Sequence, residues 1–244
     1  MIAAGRISSW ATTHVGARRT HNEDTLVNRP DLGLWAVADG AGGHAAGEVA
    51  SGMIAAALEA IPPDASPTEL LSQVRARIDA THTALREEAE RRGPDVTIAS
   101  TVVVLVVRED HFACLWAGDS RAYLLRDGAL LQISHDHSLV QELVDSGAIS
   151  AEEAEHHPHA NVITRAVGAA MDDVALDKVS DRLQSGDRFL LCSDGLNKTL
   201  PDADLAAVLA GAGDEAPTEA LVAAALARQV NDNVTAVVVA FTAG

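Results

Sequence analysis

The sequence predicts an α+β fold in which antiparallel sheets carry helices on their outer faces. Strand-like stretches come in blocks, with blocks of helix-like spacing between them, and no linker, repeat or low-complexity tract divides the chain. The 244 residues and a hydrophobic fraction of 48% suffice for one domain with a substantial core, expected over 1–244.

Residues 2–29 read as two short strands, Ile7–Thr12 and Thr25–Val27, around the polar loop 16–24. The apolar run Leu34-Trp35-Ala36-Val37-Ala38 reads as a buried strand that ends in Asp39-Gly40-Ala41-Gly42-Gly43-His44. A helix from Ala45 to Ile61 places Val49, Met53, Ile54, Ala57 and Leu58 on one face and stops at Pro62-Pro63. Ser66-Pro67-Thr68-Glu69 opens a second helix, with Ser66 as its cap and Glu69 three residues on, and Gly93-Pro94 ends it.

Four strands follow, Ile98–Val107, His111–Ala117, Ala122–Arg126 and Ala129–Ile133, joined by short turns that predict an antiparallel meander. Residues 138–160 return to helix-like spacing and are crowded with charge and histidine. Strands are expected again at Val162–Val167 and Arg188–Cys192, helices at Asp202–Leu209 and Ala216–Gln229, and a closing strand at Val234–Phe241.

A formal net charge of −17 opposes attraction to nucleic acid or to an anionic membrane, and Lys and Arg form no basic tract. An anionic substrate would need a metal ion or a single arginine to overturn that field locally. Cys114 and Cys192 lie in apolar runs and are expected as buried free thiols, which fits a reducing compartment. The N-terminal stretch does not read as a signal peptide, and the longest apolar run, Val102–Val107, is far below the roughly 18 residues of a membrane span. A cytoplasmic protein without nucleic-acid or membrane partners, acting as a monomer, is the expectation.

Asp39 at the tip of a core strand, beside a glycine carbonyl, offers the oxygen ligands that hard cations such as Mg²⁺, Mn²⁺ or Ca²⁺ take. A hairpin turn would use the same Asp-Gly pair for geometry alone. Four further acids share the context: Asp194 after Phe189–Cys192, Asp119 after Leu115–Gly118, Asp232 before the last strand, and Asp24, with Glu23, before Thr25. Acids at strand ends far apart in sequence would converge if the strands share a sheet interface. Two divalent ions about 3.5–4 Å apart would neutralise such a cluster and lower the pKa of a bridging water.

The ordered set Arg19-Thr20-His21-Asn22-Glu23-Asp24, Asp39-Gly40-Ala41-Gly42-Gly43-His44, Ala117-Gly118-Asp119-Ser120-Arg121, Ser193-Asp194-Gly195-Leu196 and Asp232-Asn233-Val234-Thr235 resembles the metal-dependent protein phosphatases of type 2C, in their compact bacterial form. The resemblance covers essentially the whole chain. It implies a four-layer αββα sandwich, with two antiparallel sheets flanked by helices, and hydrolysis of phosphoserine and phosphothreonine on proteins. The implied cofactors are two Mn²⁺ or Mg²⁺ ions, which activate the attacking water so that no protein nucleophile is needed. Asp39 would bridge the ions, Gly40 would lend its carbonyl to one, Asp194 and Asp232 would complete the other, and Glu23 and Asp24 would act through bound waters. Arg19 matches the arginine that binds the substrate phosphate, and Asp119, with Asp194, matches the pair that holds a third, weaker ion in bacterial members.

The chain departs from the family pattern in places. Where some members carry a histidine thought to act as general acid, two residues after the bridging acid, this chain has Ala41, so a water or another side chain would protonate the leaving group. His44 is better read as a hydrogen-bonding residue at the helix start. Ala99-Ser100-Thr101 replaces a glycine and threonine pattern and reads as a packing variation. Residues 134–160 correspond to a flap that would contact the protein substrate, and the spacing of His135, His137, His156, His157 and His159 fits no compact metal site. The implied partners are phosphoproteins and an opposing Ser/Thr kinase, such as one controlling a signalling or secretion system. A catalytically silent phosphoprotein-binding module would be expected to have lost metal acids, and Asp39, Asp194 and Asp232 are present; a small-molecule phosphatase on the same fold is the other alternative, while a nuclease is opposed by the negative charge.

Overall fold

The structure, a computed structural model, describes residues 5–42, 46–211 and 216–243. In chain order the elements are β1 (Gly5–His14), β2 (Asp24–Arg29), β3 (Leu34–Ala41), α1 (Ala46–Glu59), α2 (Pro67–Arg92), β4 (Ala99–Ser100), β5 (Val102–Arg108), β6 (His111–Ala117), β7 (Arg121–Arg126) and β8 (Ala129–Gln132). There follow α3 (Leu139–Asp145), α4 (Ala151–Glu155), β9 (Asp177–Arg182), β10 (Arg188–Cys192), α5 (Asp194–Asn197), α6 (Asp202–Gly211), α7 (Pro217–Ala227) and β11 (Val234–Ala243).

Alternation along the strands builds the layers. In β5, Val103, Leu105 and Val107 enter one buried cluster and Val102, Val104 and Val106 another, because successive side chains point to opposite faces. The first cluster lies between the sheets, where Trp35, Val37, Phe112, Cys114, Phe189, Leu191, Val237 and Val239 meet. The second packs one sheet against α1 and α2 through Ile54, Leu58, Leu70, Val74 and Ile78. A third packs the other sheet, through Tyr123, Leu190, Cys192 and Val238, against Leu205, Leu209, Leu221 and Ala225 of α6 and α7. Each fully buried Leu or Val contributes about 1.5–3 kcal/mol, so the three cores hold the four layers together.

The sheets run β1-β11-β10-β7-β8 and β2-β3-β5-β6-β9, with β4 paired to β3, and every pairing is antiparallel. The two-sheet, helix-flanked expectation therefore holds. Ser66 caps α2 as its sequence predicts, accepting from Glu69 N while Glu69 Oε2 accepts from Ser66 N at 2.8 Å. Both cysteines are buried free thiols.

The meander does not hold. After β6 the chain leaves its sheet, and β7 and β8 join the opposite one. Gly118 makes this crossing possible: its φ is +111°, and a Cβ there would lie 2.6 Å from Thr101 Cβ. The strand expected over 98–107 breaks at Thr101 into β4 and β5. The strand expected at Val162–Val167 is reduced to isolated bridges, Ile163 with Ser138 and Val167 with Ser100. In its place β9, a polar edge strand, pairs with β6 in a register that sets Phe112 opposite Asp181.

Gly118→Ala is expected to lose about 1–3 kcal/mol in urea unfolding, because both the backbone angle and the space are wrong. Gly128→Ala, also at positive φ (+80°) but with nothing within 4 Å of the added carbon, should lose clearly less. Equal losses would remove the close-packing role given to Gly118.

Candidate metal centre

Strand β3 does not turn at Asp39. It continues through Gly40 and Ala41, which pair with Ser100 and Ala99, so Asp39 extends the inter-sheet face of Trp35 and Val37 to one end of the sandwich. Asp24 lies directly across from Asp39 in the β2–β3 register. The hairpin-turn reading of Asp-Gly is therefore excluded.

The Asp39 backbone is clamped from the neighbouring strand. Its N–H donates to Thr101 Oγ1 at 3.1 Å, and its carbonyl accepts from Thr101 N at 2.8 Å and Ser100 Oγ at 2.9 Å. Thr101 Oγ1 also meets Ser120 Oγ at 2.6 Å, tying Asp39 to the Gly118–Arg121 crossing. Ser100 and Thr101 thus position the acid, and the packing-only reading of that stretch is corrected. Gly40 donates to Glu23 O at 3.1 Å, and a Cβ on it would stand 2.1 Å from Gly47 O, so only glycine fits at this position.

Asp24 links three elements. Its Oδ2 accepts from Ser193 Oγ and from Thr235 Oγ1, each at 2.7 Å, while its Oδ1 is buried with no protein partner. Asn233 holds the 15–23 loop, donating to Val15 O and His21 O at 2.9 Å and accepting from Glu23 N at 2.9 Å. That loop presents Arg19, whose guanidinium donates to Asp232 Oδ2 at 2.9 Å from a side chain still 53% exposed. Asp194 is the first residue of α5, and Asp119 lies buried in the crossing after β6.

The acids act on one another. Burial raises the Asp39 pKa well above its usual value, and Asp24, Asp194, Asp119 and Asp232 each raise it further. Burial pushes Asp24 up to about 7 against the pull of its two hydroxyl donors, with Asp194 and Asp232 adding to the rise. Burial and then Asp194 push Asp119 up to about 6, with Lys198 opposing. The five strand-end aspartates therefore converge.

Among the described residues, no three of these side chains close around a single point. Two cationic side chains stand among them instead: Arg19 on Asp232, and Lys198, whose ammonium donates to Asp194 Oδ2 at 2.7 Å and Asp119 Oδ2 at 3.3 Å. The donor set nonetheless fits hard divalent cations that keep much of their water. It is all oxygen, its charges are mutually destabilising without cations, Gly40 is held as a glycine, and Asp24 keeps an unpartnered buried oxygen for a bound water to meet.

Several participants were not singled out in sequence. Ser193, Thr235 and Asn233 stand inside the quoted motifs, but their roles follow only from the register that brings β11, α5 and β2 together. Lys198 had one available signal, its place four residues after Asp194. His44 lies outside the described residues. Of the histidine-rich segment, His137 is fixed rather than solvated: its Nδ1 accepts from Gly118 N at 3.1 Å and its Nε2 meets Asp177 at 3.2 Å. Trp116 Nε1 donates to His135 O at 2.7 Å and Arg121 forks onto Asp136, so the segment is anchored at its root.

The family profile described as protein phosphatase 2C matches residues 13–231. The serine/threonine protein phosphatase PstP of Mycobacterium tuberculosis is 38% identical over 224 residues, which cover 91% of this chain and 43% of PstP, so the chain spans less than half the length of that curated relative. Among solved structures, PppA, described as a key regulatory component of T6SS in Pseudomonas aeruginosa, is 43% identical with a TM-score of 0.89, covering 98% of this chain and 99% of that one. The catalytic domain of PstP in complex with 2 manganese ions is 34% identical with a TM-score of 0.86, covering 97% and 98%.

The raised pKa values fix a sign. Without metal, folded Asp24 and Asp119 bind more protons than the unfolded chain from about pH 4 to about pH 7, so their contribution to stability falls as pH rises through that window. Acids such as Asp31, held low by Arg29, slope the other way, so the comparison is with the Asp24→Asn/Asp119→Asn variant. The melting temperature of metal-free wild type should fall relative to that variant between pH 4 and pH 7, and saturating Mn²⁺ should remove the fall. Parallel profiles without metal would contradict the electrostatic account.

Proposed function

Because this chain belongs to the protein phosphatase 2C family, we propose that it is a metal-dependent phosphatase that hydrolyses phosphoserine and phosphothreonine on proteins. The observation that carries the reading is the convergence of Asp24, Asp119, Asp194 and Asp232 on Asp39 at one end of the sandwich, where each of the four raises the Asp39 pKa. The chain forms a single catalytic domain over 1–244, with a substrate-contacting flap at about 134–160. Phosphoproteins are its substrates, a Ser/Thr kinase its opposing enzyme, and it works as a monomer in the cytoplasm. None of the described helices is long and apolar enough to cross a membrane.

Asp39 would hold both ions, with the Gly40 carbonyl on one and Asp194 and Asp232 on the other, while Glu23 and Asp24 would accept from their waters. When bound, two Mn²⁺ or Mg²⁺ ions would supply a water acidic enough to ionise near neutral pH and positive charge to offset that of the phosphoryl oxygens. Thr101 and Ser100 fix the Asp39 backbone so that the carboxylate is preorganised. Arg19 is half exposed and bound to a single acid, so it can exchange Asp232 for the phosphoryl oxygens, where its fork suits two of them. In a chain of net charge −17 it is the cation of the 15–23 loop placed at the acids. With Ala41 two residues beyond Asp39, no histidine stands there to protonate the leaving seryl or threonyl oxygen, so a water or another side chain does so.

Phosphate release from a phosphothreonine peptide should require Mn²⁺, stop with EDTA, and fall at least about 10³-fold in Asp39→Asn. Arg19→Ala should lower kcat/KM about 10²- to 10³-fold. A folded, Mn²⁺-loaded wild type that releases no phosphate would refute the reading, as would turnover indifferent to Asp39.

A further inference from the structure

The pair Asp119 and Asp194, matched by resemblance to a third-ion site, does not fit a third ion in this chain. We infer that the Lys198 ammonium permanently takes that place, so that the centre exchanges only two divalent cations. This inference rests on the metal-centre reading above and concerns how many ions the centre takes.

The geometry is that of a filled site. An ammonium has three donors and no acceptor, and Lys198 Nζ meets three oxygen acceptors: Asp194 Oδ2 at 2.7 Å, Asn161 Oδ1 at 2.9 Å and Asp119 Oδ2 at 3.3 Å. Its position is built in, because Lys198 is the C-cap residue of α5 and stands one helical turn after Asp194, on the same side. The Asp119 side chain is only 4% exposed and sits in the crossing that Gly118 and Ser120 hold rigid, so it cannot swing away to another partner. Asn161, which follows α4 in the chain, supplies the third acceptor.

Charge leads to the same conclusion. The buried Asp119 carboxylate has the Lys198 ammonium 3.3 Å away as its cationic neighbour, and the chain supplies that charge covalently. A divalent ion with the same oxygens as ligands would have to expel the ammonium and face its charge at close range. Arg19 differs: it meets one acid, is more exposed, and leaves Asp232 free to take an ion when it moves.

Equilibrium dialysis against millimolar Mn²⁺, with bound manganese counted by elemental analysis, tests this without reference to turnover. Wild type should bind about two ions per chain, Lys198→Met about three, and Lys198→Met/Asp119→Asn about two again, which also subtracts loose binding to the acidic surface. Circular dichroism and melting temperature would check that each variant is folded. Three ions in wild type, abolished by Asp119→Asn, would overturn the inference while leaving the metal centre intact. Two ions in a folded Lys198→Met would overturn it as well, and no ions in folded wild type would overturn both it and the metal centre.

Discussion

Mutual repulsion among carboxylates is the constraint on which this structure turns. Asp24, Asp39, Asp119, Asp194 and Asp232 come from five separate places in the chain and are held together where the other four make ionisation of the buried Asp39 harder, and Asp194 does the same to Asp24 and Asp119. Such an arrangement costs stability unless cations enter it, and the fold concentrates much of its rigidity there. Inter-sheet packing of Trp35, Val37, Leu191 and Val237 sets the strand ends. Hydroxyls of Thr101, Ser193 and Thr235 and the amide of Asn233 then fix the acids and the loop beside them.

The same constraint explains the two cations at the site. Arg19 and Lys198 both meet site acids, yet their settings differ. Arg19 lies on a loop, half exposed and with one acid partner. Lys198 follows α5 directly and has three acceptors, as suits a group that stays. In a chain of net charge −17, these two cations stand directly against the converging acids.

What the sequence revealed and what it hid have physical causes. Strands buried on both faces, such as β5 with its unbroken apolar run, announce themselves, and a capping box marks the start of α2. The acids were legible because five of them recur in one ordered pattern at the ends of apolar runs, although any single Asp-Gly pair reads equally as a turn. The polar edge strand β9 was not, since Asp177–Arg182 contributes backbone hydrogen bonds rather than apolar surface. The change of sheet at Gly118 was hidden because a glycine-aspartate link reads as a hairpin turn until the partner strands are known. Ser100, Thr101 and Lys198 were misjudged or missed because their partners are 19 to 79 residues away in sequence or hidden in a four-residue helix.

Anomalous diffraction from crystals grown with Mn²⁺ tests the central claim most directly. The account predicts two strong peaks about 3.5–4 Å apart, with Asp39 touching both, the Gly40 carbonyl on one, and Arg19 released from Asp232. Manganese bound elsewhere on the chain, with Asp39 touching none of it, would contradict the claim that these acids are brought together to hold ions.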